Sequence, residues 1–387
     1  MLEVLLFLAI GIALGILAGL VPGIHPNMVI LFVPLISSLV TEPLNAIVMV
    51  AGMGVSNGIA DAIPSIFLGA PDGDDALAAL PGHRMLLAGQ GYDAVRLTVA
   101  GSLASAALLL PLIPLLCYFV PPLFRATHQY THLLVGGIAA YMILSGKNRA
   151  MAAFVFFAAG IAGVLSLQLP VDGTIILFPM LSGFFGISAL LMQGSASAPQ
   201  QKGEAPVSLT SMRGGIISGI AGGIASGFLP GVGTSQIAAL FSSSKDDHKF
   251  LTMMGAITTI NIVVSILALW LIDRGRSGIA VAIGDLAKIG MREFLATAFA
   301  SLIAAAVASV ITLRIAKIFL RLLQNQQKLR IGVIAFILLA VAMGSGAYGI
   351  LVLFTCTALG VFTAKVGVPR GLLMGSLMIP VILFYAA

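Results

Sequence analysis

Apolar residues in this chain fall in long charge-free blocks, not in the alternation of a strand or the one-sided stripe of a surface helix. The blocks run from Val4 to Thr41, Leu97 to Pro122, Met151 to Val171, Gly173 to Gln201, Gly214 to Ser244, Phe250 to Ile272, Phe294 to Thr312, Ile331 to Ala364 and Gly371 to Ala387. A helix needs about 20 such residues to cross bilayer hydrocarbon, where every backbone amide must be bonded within its own segment. Several blocks are long enough for two crossings or a broken helix. The pattern predicts an all-α polytopic membrane protein with roughly 10–12 membrane segments, re-entrant ones included. An outer-membrane barrel would show short alternating segments instead.

Composition sharpens this reading. Hydrophobic residues make up 59 % and charged residues 9 %, with a mean hydropathy of +1.10, which excludes a soluble globular domain. The net charge of +6 comes from basic residues scattered singly between apolar blocks, so it is a loop surplus and not a nucleic-acid footprint. The most basic connector, Arg314 to Arg330, and the turn with Lys147 and Arg149 are expected on the cytoplasmic side. Counting onward from Arg330 puts Lys365 and Arg370 inside and the C-terminus outside. No Lys or Arg precedes Arg84, so the first block lacks the basic start of a signal peptide and is expected to remain as a membrane segment. The expected location is the cell (inner or cytoplasmic) membrane, in which the lipid bilayer is itself a partner. Cys117 and Cys356 sit inside apolar blocks and read as small buried side chains.

An internal repeat is visible at an offset of 208. Gly11 to Gly23 reads GIALGILAGLVPG and Gly219 to Gly231 reads GIAGGIASGFLPG, eight of thirteen positions identical without a gap. The shared Pro-Gly weighs more than the aliphatic matches, which are common in membrane helices. The sequence predicts two transmembrane repeats, residues 1–200 and 201–387, with the polar stretch from Gly194 to Pro206 as linker. An odd number of crossings in each half would make the repeats inverted.

The two breaks carry the candidate chemistry. Proline removes a donor and glycine permits non-helical angles, so Pro22-Gly23 and Pro230-Gly231 free backbone groups at membrane depth. Such groups must face protein, water or ligand. A half-helix starting after each break would aim its free amides and positive dipole end at an anion. His25, Pro26 and Asn27 follow the first break; Gly233, Thr234, Ser235 and Gln236 follow the second. With Pro22, Gly23, Pro230 and Gly231 they form the expected binding site for a small anionic substrate. Interrupted helices at corresponding places in two halves point to a transporter's central site.

Asn57 and Asp61 lie four apart in an apolar stretch, on one face if it is helical, and an intramembrane carboxylate is a functional candidate by default. In the second half Thr258, Thr259 and Asn261 are similarly placed. Asn57, Asp61 and Asn261 are the candidates for coupling to a proton or sodium ion. Ala70 to Val95, with Asp72, Asp74, Asp75, His83, Arg84 and Asp93, reads as a solvated loop; its D-x-D-D-x7-H spacing matches no standard metal site. No metal and no cofactor is expected. No nucleophile-base arrangement stands out, so a transporter is expected and not an enzyme.

The order of features resembles the TctA family, the large membrane subunit of tripartite tricarboxylate transporters, and its shorter archaeal-type branch in particular. The residues that carry the resemblance are GLVPGIHPN at Gly19 to Asn27, the stretch Ser65 to Leu97 with Ala70-Pro71-Asp72-Gly73 and Gly82-His83-Arg84-Met85, GFLPGVGTSQIAAL at Gly227 to Leu240, TTIN at Thr258 to Asn261, and RSG at Arg276 to Gly278. The resemblance implies two inverted repeats and proton- or sodium-driven uptake of a tri- or dicarboxylate by alternating access. It also implies a binding protein and a small membrane subunit as accessory partners; a second copy of the chain is a further candidate. This chain is shorter than the usual large subunit, and His25-Pro26-Asn27 stands where many members have Gly or Thr. Two other readings stay open from the residues alone: a translocase of an anionic lipid carrier such as a polyprenyl phosphate, and a non-transporting membrane enzyme or assembly subunit.

Overall fold

In a computed structural model of the chain, residues 2–21, 32–69, 79–192, 199, 201, 209–228, 233–241, 246–322 and 326–386 are described. They are helical, with no strand among them. Eight helical stretches among the described residues are long and apolar enough to cross a membrane, and a shorter apolar one covers Arg370–Ala386. The protein is thus an all-α polytopic membrane protein. Large apolar side chains such as Leu17, Leu39, Phe154, Phe157, Leu351 and Phe384 remain exposed on its flanks, as they must where the neighbour is lipid.

The helices start where side chains can satisfy their first amides. Asn148 caps α8 (Arg149–Leu167) by accepting from the Met151 amide at 3.1 Å, and Asp172 caps α9 (Gly173–Leu181) through the Thr174 amide at 2.8 Å. Asp246 caps α13 (Asp247–Ile272) by accepting from the His248 and Lys249 amides at 3.0 and 3.1 Å. Each removes one or two of the unpaired donors that begin a helix.

Two helix pairs are built alike. Helix α1 (Leu2–Gly19) packs on α3 (Pro43–Ala60), and α11 (Leu209–Phe228) packs on α13. In both, glycines four apart let backbones meet: a Cβ on Gly15 would lie 2.2 Å from the Met53 carbonyl oxygen, and one on Gly223 would lie 2.5 Å from Ile260 Cβ. Helix α13 also packs on α6 (Gly91–Thr127), while α3 packs on α15 (Met291–Leu322), and α6 meets α15. These helices enclose the larger apolar core. A second core joins α7 (Thr131–Leu144), α8 and α9 to α16 (Gln326–Lys365) and α17 (Gly375–Ala386). Within α16 the backbone breaks at Gly346, whose φ of 58° and ψ of −146° no helix contains.

Two expectations are corrected. Ala70 to Val95 is not a solvated loop throughout. Residues 79–87 form α5 and α6 starts at Gly91, with Met85, Leu86 and Asp93 buried. Apolar Met85, Leu86 and Val95 fit a helical face against the core, a periodicity obscured in the sequence by the surrounding Asp and Gly. Nor is Arg314 to Arg330 a connector. Arg314, Lys317 and Arg321 belong to the end of α15, and Lys328 and Arg330 to the start of α16. At about 1.5 Å per residue these helices exceed the hydrocarbon thickness. Lys317 is held there by the face of Tyr92, its Nζ 4.8 Å from the ring centre.

Candidate functional site

The expected site residues divide by what the structure describes. Pro22, Gly23, His25, Pro26, Asn27, Pro230 and Gly231 lie outside the described residues. Gly233 and Thr234 are buried at the start of α12 (Thr234–Phe241). Ser235 and Gln236 follow in its first turn. Helices α1 and α11 each stop just short of a Pro-Gly.

The ends of these two helices lead to one crossing. Gly19, near the end of α1, lies against the Asn57 carbonyl and the Asp61 amide; a Cβ there would come within 2.5 Å of the former and 3.1 Å of the latter. Gly227, near the end of α11, faces Val264 and the Asn261 carbonyl. Between them α3 and α13 touch, for a Cβ on Gly58 would meet the Thr258 methyl at 2.7 Å. The structure therefore sets Gly58, between Asn57 and Asp61 in α3, against Thr258 of α13, three residues before Asn261, with Gly19 and Gly227 packed beside these segments. Counted from these contacts, Asn57 occupies in the first helix pair the place that Asn261 occupies in the second. This pairing is four residues off the offset of 208 that aligns Gly19 with Gly227.

Asp61 sits where α3 passes into α4 (Ala62–Phe67), with Pro64 one turn on. The chain stays near helical: the Asp61 amide bonds the Asn57 carbonyl at 2.9 Å, which confirms the shared face. The carboxylate is buried, and its Oδ2 accepts from the Ser65 hydroxyl at 2.9 Å. Ser65 was not singled out from the sequence. Its signal was the i, i+4 spacing from Asp61, which is meaningful only if the helix continues through Pro64. A void of about 20 Å³ is lined by Gly58, Ser65, Thr98 and Thr258 among others, room for about one water or one bare cation. Asn57 is nearly fully buried, and its Nδ2 finds no acceptor among the described residues. Asn261 is only half-buried.

The RSG segment is structural support for this region. Ser265, one turn beyond Asn261, accepts from the Arg276 amide at 2.9 Å and the Ser277 amide at 2.7 Å, and Ser277 in turn caps α14 (Gly278–Leu286). The Arg276 guanidinium donates to the Tyr385 hydroxyl at 3.0 Å and lies over Phe124. His83, in α5, has its Nδ1 3.2 Å from the Ile66 carbonyl. No group of three metal-ligating side chains occurs among the described residues.

Residues 5–375 match the sequence profile of the Tripartite tricarboxylate transporter TctA family. The chain belongs to this family. An uncharacterized protein of Methanocaldococcus jannaschii is 30 % identical over 357 residues, covering 88 % of this chain and 89 % of the relative. No solved structure matches the chain. The TctA family is a transporter family, described as belonging to tripartite systems, which have further subunits. The family match includes the α3–α13 crossing and both Pro-Gly motifs.

Proposed function

We propose that this TctA-family chain is the translocating subunit of a secondary active transporter for a small organic anion of the tri- or dicarboxylate type, coupled to protons or sodium and residing in the cytoplasmic membrane. The observation that carries this reading is the α3–α13 crossing, where two glycine-striped helices end against the segments that hold buried Asn57 and Asp61 and half-buried Asn261. The like packing of the two helix pairs supports repeats at 1–200 and 201–387. With opposite orientations in the membrane, they would rock about this crossing to expose the site to each side in turn.

In this mechanism the amides after Gly23 and Gly231 hold the carboxylates of the substrate, with His25, Pro26 and Asn27 on one side and Gly233, Thr234, Ser235 and Gln236 on the other. Helix-start amides suit an anion because their partial positive charge is fixed in place and needs no counter-ion. Asp61 carries the coupling charge. It is a buried carboxylate hydrogen-bonded by Ser65, which with Thr98 and Thr258 lines a void of single-ion size.

Reconstituted with citrate and other carboxylates under an imposed gradient, the protein should accumulate substrate. Asp61→Asn should abolish accumulation while leaving substrate exchange, because exchange moves no net coupling ion. Accumulation by Asp61→Asn equal to that of the parent protein would remove Asp61 from the mechanism. Failure to bind or move any carboxylate, alone or with accessory subunits present, would overturn the transport reading itself.

A further inference from the structure

A cavity of about 750 Å³ opens on the flank of the molecule between α1, α2 (Val33–Leu39) and α3 on one side and α9 and α16 on the other. Its walls are apolar side chains, among them Phe7, Met53, Phe178 and Phe336; the exceptions are Asn57 and Ser345. The Ser345 hydroxyl is already engaged, donating to the Val341 carbonyl at 3.0 Å. Asn57 is 2 % exposed and its Nδ2 has no acceptor among the described residues. At its rim Leu14, Phe32, Leu35 and Leu39 are 44 to 70 % exposed, continuous with the lipid-facing surface.

A hydrated carboxylate does not belong in such a place. Moving it among these walls would strip its water and return a single amide donor, a large net cost. Liquid water is no better served, with one free donor where a buried water makes about three bonds. An alkyl or isoprenyl chain, by contrast, leaves the bilayer for the cavity at almost no solvation cost, since its surroundings are equally apolar. An oxygen near the head of the chain would then supply the acceptor that Asn57 lacks.

We propose that this cavity is a lateral binding site for one membrane-lipid hydrocarbon chain, entered from the bilayer, with an uncharged ester or ether oxygen accepting from Asn57 Nδ2. The proposal rests on the membrane location of the chain and not on the carboxylate reading above. Because lipid and cavity are alike in polarity, shape and the single hydrogen bond set the affinity, and the occupant exchanges with bulk lipid.

Gly344 gives a clean way to fill the cavity. It lines the wall, and a Cβ there would meet nothing within 4 Å. The protein in phosphatidylglycerol vesicles doped with a phosphatidylglycerol bearing a diazirine on one acyl chain should, on illumination, be labelled on the cavity-facing positions of α1, α3 and α16. Gly344→Trp should abolish that labelling, and Gly344→Ala should leave it in place as the folding control. Asn57→Leu, which keeps the size and removes the donor, should reduce it by roughly 3- to 10-fold, the worth of one neutral hydrogen bond of about 1 kcal/mol. Cavity labelling that Gly344→Trp leaves intact in monodisperse protein would overturn the proposal, as would labelling spread evenly over all lipid-facing helices.

Discussion

Gly15→Ala is the most direct probe of how the first helix pair is held. The added methyl carbon would lie 2.1 Å from Ser56 Oγ and 2.2 Å from the Met53 carbonyl oxygen. Both distances are far inside van der Waals contact. The serine hydroxyl could rotate away, at the loss of its 2.7 Å bond to the Gly52 carbonyl. The Met53 carbonyl is fixed by its own helix, so α1 and α3 must separate along their length. Overpacking of this kind costs about 1–3 kcal/mol, set against a gain of up to about 1 kcal/mol from replacing glycine by alanine inside a helix. With the full gain subtracted, a net loss of up to about 2 kcal/mol is expected, about 1–3 kcal/mol below the control. The matched control is Gly136→Ala in α7, where a Cβ meets nothing within 4 Å and only the gain remains. Titration with a denaturing detergent, followed by the fluorescence of Trp270, reads both variants on one scale, because this sole tryptophan stacks on Phe294 of α15 at 5.1 Å and senses loss of the larger core. Adding Ser56→Ala to Gly15→Ala should restore only part of the loss, since the carbonyl clash stays. Equal midpoints for Gly15→Ala and Gly136→Ala would refute the claim that backbone contact, rather than side-chain packing around it, sets this pair's spacing.

Three further outcomes follow from other parts of the structure. Gly346→Ala should destabilise by about 1–3 kcal/mol, because its angles are accessible to glycine alone while the space around it is open; a midpoint unchanged in the same titration would mean that α16 can straighten at no cost. Ser265→Ala leaves two partly buried amides without an acceptor and should cost about 1–3 kcal/mol for each donor that water cannot reach, seen as faster hydrogen exchange at Arg276 and Ser277. Asp246→Ala should cost about 1 kcal/mol through loss of its cap. Burial raises the Asp246 carboxyl, but bonds from Ser211, Lys249 and His248 outweigh it and hold the group below its ordinary value near 3.8. A lowered folded pKa contributes stability that is fully present above that ordinary value and is lost as the pH falls through the lowered value of the folded protein. The parent protein and Asp246→Ala should therefore begin to converge in stability as the pH falls below that ordinary value and meet once it is below the lowered one; a constant difference across that range would show that the cap acts without its charge.

Much of this protein was legible from residue order alone. Lipid hydrocarbon offers no hydrogen bonds, so a membrane helix must be long, continuous and apolar, and that demand is written locally in every block from Val4 onward. The family resemblance was legible for the same reason, since Pro-Gly after a glycine stripe is a local motif. The glycine stripe's purpose was not. Only the packed structure shows that Gly15 and Gly223 are small because another helix lies hard against them, by its backbone at Gly15 and by Ile260 at Gly223, and that Gly19 and Gly227 lead to the same crossing. The burial of Asp61 was a fair expectation from its neighbours, whereas its bond to Ser65 required α3 to continue nearly unbroken into α4 across Pro64, an outcome that local propensity opposes and tertiary packing decides. The helix hidden in Ala70 to Val95 and the extension of α15 and α16 past Arg314 and Arg330 were missed because charge and glycine mark solvent exposure, not the absence of a helix. The lateral cavity had no sequence signal at all. It is a space between α1, α2 and α3 and the more distant α9 and α16, and a space between elements far apart in the chain exists only once the helices have found their places.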